Sequence, residues 1–166
     1  PIFLITTMGT SAAVGNAALT VLLASGVAGT LLGGALADRV GNKPVLVTSL
    51  GVASPLILGL LAVNEAGAFA LVALIGFFLF GSFSIAVVLG QQYLPNRIGV
   101  ASGVTLGAAI GFGGLVAWLL GLLADQTSLT TVMIVIAALP LPGFLISLAL
   151  PGENEVGQPS EEPARV

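Results

Sequence analysis

Charged residues fall at only a few places along this 166-residue chain, and the apolar stretches between them are long. No Asp, Glu, Lys or Arg occurs in residues 1–37, 66–96, 98–124 or 126–152. A helix that crosses a bilayer needs about 20 predominantly apolar residues. Five segments meet that length, at 15–37, 44–63, 69–90, 99–123 and 130–149. Pro44 suits the first turn of the second segment, where its missing N–H has no intrahelical partner to lose. Pro140 and Pro142 predict a kink in the last, since each removes a backbone hydrogen bond. Residues 1–8 are apolar but too short to cross. They read as the outer end of a helix that begins upstream, or as a short interfacial segment. Residues 151–166 carry Pro, Gly, Ser and Glu with little to bury, so disorder is expected there. The pattern predicts an all-α, polytopic helical bundle over 1–150, followed by a tail.

Composition sharpens this reading. The chain is 57% hydrophobic and 7% charged, with a mean hydropathy of +1.14. A soluble domain carries about 25% charged residues, so a water-facing surface cannot be built here and lipid is the expected solvent. The absence of Cys and His rules out disulfides, thiolate chemistry and the common zinc sites; no metal and no cofactor is expected. The net charge of −3 says little about partners, because Glu153, Glu155, Glu161 and Glu162 all lie in the tail. Nothing basic is dense enough for nucleic acid. The chain opens on Pro1 with no basic segment ahead of its first apolar stretch, which argues against a signal peptide and for a sequence that begins partway through a gene product.

Orientation follows from the cations. Counting crossings puts Arg39, Lys43, Arg97 and Arg165 on one side, and Glu65 and Asp125 on the other. An excess of Lys and Arg marks the cytoplasmic side. Residues 33–44, the connector 91–98 and the C-terminus are therefore expected in the cytoplasm.

The densest chemistry sits between the first two spans, in Gly-Gly-Ala-Leu-Ala-Asp-Arg-Val-Gly-Asn-Lys-Pro (33–44). Gly33 and Gly34 permit close approach of helices, and Gly41 permits a tight turn with positive φ. Asp38 lies near Arg39 and Lys43, and it could accept hydrogen bonds from a neighbouring helix N-terminus. Such a cluster can serve as a latch that breaks and re-forms as helices shift. The plainer reading is a solvated loop obeying the charge bias. The order Gly34-x-x-x-Asp38-Arg39-x-Gly41-x-Lys43 resembles the cytoplasmic loop motif of the major facilitator superfamily, with Asn42 where a first basic residue usually stands. In that family the loop joins the second and third helices and recurs, more weakly, between the eighth and ninth. The resemblance covers nearly all of 1–150 and implies the C-terminal six-helix half of a twelve-helix transporter, its first helix truncated and its N-terminal half missing.

A second stretch, Gly90-Gln91-Gln92-Tyr93-Leu94-Pro95-Asn96-Arg97-Ile98-Gly99-Val100-Ala101-Ser102-Gly103-Val104-Thr105-Leu106-Gly107, resembles the segment between the tenth and eleventh helices of the fosmidomycin-resistance type of efflux protein. Gln91, Pro95, Asn96 and Arg97 would form a second cytoplasmic loop. Gly121-Leu122-Leu123-Ala124-Asp125 also fits the end of that branch's eleventh helix. The resemblance implies a bacterial inner-membrane efflux protein for a small-molecule substrate, working by alternating access.

Two further patterns are physical. Gly99, Gly103, Gly107 and Gly111 recur every fourth residue, so they share one helix face. Gly29, Gly33 and Ala37 form a shorter strip. In lipid, small residues let helices pack backbone to backbone; the strip reads as static packing or as a surface on which helices slide. Phe77, Phe78, Phe80 and Phe83 cluster on the third span. They read as bulk, or as an aromatic wall in which Phe77 and Phe80, or Phe80 and Phe83, share a face.

No ionisable residue lies at mid-depth of any predicted span, where proton relays normally sit. A proton-coupled transporter would then titrate in its other half. Two other readings stand beside the transporter: a membrane scaffold without transport, and a membrane-embedded enzyme. The enzyme would need polar catalytic groups within a span, and no hydroxyl here has a candidate base beside it. No catalytic residue is assigned.

Overall fold

The computed structural model describes residues 2–93 and 97–150, and these are mostly helical, with no strand among the described residues. The helices are α1 (Ile2–Thr7), α2 (Ala12–Val40), α3 (Asn42–Gly59), α4 (Glu65–Tyr93), α5 (Ile98–Gln126), α6 (Leu129–Ala138) and α7 (Pro140–Ala149). The call of a disordered tail at 151–166 lies outside the described residues.

Helix ends are set by local chemistry. Ser11 precedes α2 in extended backbone, and its hydroxyl accepts from the Val14 N–H at 3.4 Å, so the helix starts earlier than the apolar pattern alone indicates. It then runs through Asp38 and Arg39 to Val40. All of the polar segment except Gly41 is therefore helix rather than loop, because nothing before Gly41 interrupts the hydrogen-bond ladder. At α4, Asn64 plays the capping part: its side-chain oxygen accepts from the Gly67 N–H at 3.0 Å. The residues after Asn64, between the second and third expected spans, thereby fold into the first turn of α4, with Glu65 placed where the helix dipole favours a carboxylate.

Four helical segments are long and apolar enough to cross a membrane: Ala12–Val40, Glu65–Gln92, Ile98–Gln126 and Leu129–Ala149. The last is α6 and α7 taken together. The backbone at Leu139 stays helical (φ −61°, ψ −36°), and the missing N–H of Pro140 divides the two, as the proline pattern predicts. The fifth expected span, 44–63, corresponds to α3 and the turns after it. As a helix, α3 opens on the polar Asn42-Lys43 and ends at Gly59, with Leu60, Leu61 and Ala62 in tighter turns bonded three residues back. Its 18 residues span about 27 Å, close to the hydrocarbon thickness of about 30 Å.

The centre of the bundle is α4, which packs against α2, α3 and α5, while α3 also packs on α6 and α7. Two apolar clusters hold it together. Leu4, Ala18, Ile57, Val72, Ile75 and Ala137 join five helices at the end remote from the polar segment. Ala37, Val45, Leu46, Ile85 and Leu89 join α2, α3 and α4 beside it. The large side chains point the other way. Leu31, Ile110, Phe112 and Ile146 are each at least two-thirds exposed, the arrangement expected where lipid rather than water is the solvent.

Candidate functional site

The polar segment reverses the chain through a single residue. Gly41 has φ 93° and ψ 155°, a conformation open essentially to glycine alone. Its N–H closes α2 by donating to the Ala37 carbonyl at 2.8 Å. The next residue, Asn42, already belongs to α3. Arg39 lies in the last turn of α2, where the dipole favours a cation. Asp38 does not cap the next helix, because α3 has no side-chain cap; with one residue between the helices, the α3 amides are not presented to it. Lys43 instead crosses to another element. Its ammonium donates to the Leu150 carbonyl just past the end of α7, the electronegative pole of that helix. That bond, rather than an ion pair with Asp38, ties the segment to the rest of the bundle. Gly34, expected at a close approach, faces open space, whereas Gly33 lies against the Gly81 backbone.

The close helix approach is the α2–α4 seam. A Cβ on Gly29 would overlap the Phe77 carbonyl, and one on Gly76 would overlap the Leu22 carbonyl and come within 2.5 Å of the Ser25 hydroxyl. Gly33 faces the Gly81 Cα at 3.3 Å from where its Cβ would stand, and the Phe80 ring covers Gly26. The α4 partners, Gly76 and Gly81, were not picked out in the sequence. Spaced five apart, they lack the four-residue repeat that drew attention to α2.

The Gly99, Gly103, Gly107 and Gly111 strip makes no such contact: a Cβ at any of the four would meet nothing within 4 Å. The expected packing role is therefore not carried out within this bundle. None of the most apolar stretch of α5 is buried, since the helix touches only α4 and α6 to a substantial extent. Its link to α4 is polar: Gln91 Nε2 donates to Ser102 Oγ at 2.8 Å. Arg97 is exposed just before α5. Pro95 and Asn96 lie outside the described residues.

Within this bundle Phe77, Phe78, Phe80 and Phe83 of α4 take different places. Phe77 and Phe78 meet edge to face, with ring centres 5.4 Å apart, and floor a groove of about 380 Å³ walled by Leu36 and Val40 of α2 and by Val45 and Ser49 of α3. Phe80 packs across Gly26 and Phe83 is 46% exposed, so neither joins that floor. Among the described residues no group of His, Cys, Asp and Glu could hold a metal ion.

Comparison with known proteins places this geometry. The family model for the Major Facilitator Superfamily matches residues 1–166. An uncharacterized MFS-type transporter of Bacillus subtilis (strain 168), YfnC, is 43% identical over 136 residues, covering 82% of this chain and 33% of the relative. The fosmidomycin resistance protein of Escherichia coli (strain K12) is 46% identical over 120 residues, covering 71% of this chain and 29% of the relative. The chain thus spans about a third of the length of these relatives. No solved structure matches it. A family model that covers the whole chain, two such relatives and a bundle that turns its large apolar side chains outward agree: this chain belongs to the major facilitator superfamily and is a multi-pass membrane protein.

Proposed function

We propose that the chain forms the C-terminal half-bundle of a twelve-helix secondary transporter, which exports small molecules across a bacterial inner membrane by alternating access rather than catalysing a reaction. Residues 1–150 are the membrane half and 151–166 a cytoplasmic tail. The segment around Gly41 and the 91–98 connector face the cytoplasm, in keeping with their Arg and Lys residues. The preceding half of the same polypeptide covers the open face of α5, and the substrate site lies at midplane between the halves.

The observation that carries the reading is the hinge at Gly41, with the motif residues Gly34, Asp38, Arg39 and Lys43 around it. The glycine seam makes α2 and α4 one rigid unit, while Lys43 fastens the start of α3 to the end of α7. The one-residue joint lets these two units tilt against each other as the halves rock. Asp38 and Arg39, both exposed, are free to tie this cytoplasmic end to the other half when the transporter opens outward. With no ionisable residue at mid-span, proton coupling falls to the other half. The name of the Escherichia coli relative points to an antibiotic as cargo.

The test expresses the complete gene product in drug-sensitive bacteria and measures fosmidomycin tolerance and accumulation, before and after an ionophore collapses the proton gradient. Raised tolerance with lowered, gradient-dependent accumulation supports the reading. Unchanged accumulation across a panel of small antibiotics, with the protein present in the membrane, overturns it.

A further inference from the structure

The groove between α2 and α3 extends from the polar segment along α2, with Phe77 and Phe78 of α4 beneath it. It opens sideways, since Leu32, Leu36 and Val40 on its α2 wall are 60%, 49% and 53% exposed. Along α2 it runs from Val40, beside the polar segment, to Gly29. Those eleven residues of rise make about 16 Å, against about 15 Å for the hydrocarbon depth of one leaflet. Its volume of about 380 Å³ lies near the lower end of small-molecule pockets, about 300–1,000 Å³, and suits one chain rather than a bulky solute.

Its polar features follow the order of a glycerolipid. At the mouth, Arg39 is exposed in the last turn of α2 and three residues from Leu36, hence a neighbour on the helix surface. Asp38, two residues from both Leu36 and Val40, belongs to another face. Lys43 is engaged with Leu150 but adds positive potential nearby. Little more than a turn below Pro44, Ser49 lines the groove and is only 5% exposed. Its hydroxyl has no hydrogen bond among the described residues, whereas that of Thr48 beside it donates to the Pro44 carbonyl at 2.8 Å. A hydroxyl that reaches an otherwise apolar groove without an acceptor is costly once lipid replaces water and marks where a ligand acceptor belongs.

We propose that this groove binds one acyl chain of an anionic phospholipid, with the phosphate at Arg39 and an ester carbonyl accepting from Ser49. The inference rests on the chain spanning a bilayer and not on its being an exporter. Basic sites beside transmembrane helices select anionic headgroups, by about five-fold for each cation near the surface.

The test strips the full-length protein of lipid in detergent and titrates it with dioleoyl phosphatidylglycerol or dioleoyl phosphatidylcholine, with bound lipid counted by native mass spectrometry. One phosphatidylglycerol is expected to bind about five-fold more tightly than phosphatidylcholine. Arg39→Gln should bring that ratio near one, and Arg39→Lys should keep it. Leu36→Trp should fill the groove and remove this lipid altogether; if that variant does not fold, Thr48→Trp blocks the opposite wall. Equal occupancy by both lipids, unaffected by the variants, means ordinary annular contact and overturns the proposal. A phosphatidylglycerol preference that survives the Trp variants also overturns it, since the headgroup would then be held without the groove.

Discussion

Gly29 of α2 sits so close against the Phe77 carbonyl of α4 that no side chain fits between the two helices. This relationship leaves the seam no slack for a side chain, because the obstacle is backbone and cannot rotate away. Overpacking of this kind costs about 1–3 kcal/mol where neighbours can adjust. Gly29→Ala should reach the upper end of that range or lose the fold. Gly34→Ala meets nothing within 4 Å and should gain about 0.5–1 kcal/mol from helix propensity. Thermal unfolding of the purified full-length protein in one detergent separates the two; equal melting temperatures would show that the seam is loose.

The Gly41 turn demands a backbone conformation that a Cβ opposes, and it is the joint of the proposed hinge. Gly41→Ala should cost about 1–3 kcal/mol and slow export more than it lowers the amount of folded protein. Export rate per folded molecule is the measurement. A variant with normal rate and stability would mean that the joint relaxes into another geometry.

Lys43→Met removes the bond to the Leu150 carbonyl. A charge-assisted bond contributes about 1.5–3 kcal/mol, and the partial exposure of Lys43 reduces this to about 1 kcal/mol. Increased maleimide labelling of a cysteine placed at Leu150 is the expected result. Asp38→Asn leaves that clip intact and should instead change export and the balance between inward and outward accessibility. If Asp38→Asn transports normally with unchanged accessibility, the carboxylate has no part in gating.

The open strip on α5 predicts a different split. Gly103→Leu and Gly107→Leu touch nothing in this bundle, so its packing should be undisturbed. If the other half of the transporter lies on that strip, both variants should cut export several-fold at unchanged protein level. Cysteines at the same positions should crosslink to that half. Normal export and no crosslink would leave the strip facing lipid.

Run length and charge placement were enough to read a multi-pass helical bundle, the order of residues 33–44 carried the resemblance to its family, and Gly41 marked the tight turn. Each of these is local: a span needs only enough consecutive apolar residues to cover the bilayer, and the Gly41 turn needs only the residue that tolerates its φ. The proline break between α6 and α7 was legible for the same reason, since a missing N–H acts within one turn. The partners of each surface were not legible. Four glycines in strict register on α5 looked like the better packing face, yet they lie open, while the less regular Gly76 and Gly81 carry the seam with α2. Phe77, Phe80 and Phe83 share a segment but part company, because neighbouring helices meet α4 from different sides. Lys43 reaches the end of α7 rather than the nearby Asp38. Sequence periodicity shows which residues of one helix share a face. Which faces meet depends on the crossings of several helices at once, and only the tertiary structure decided them.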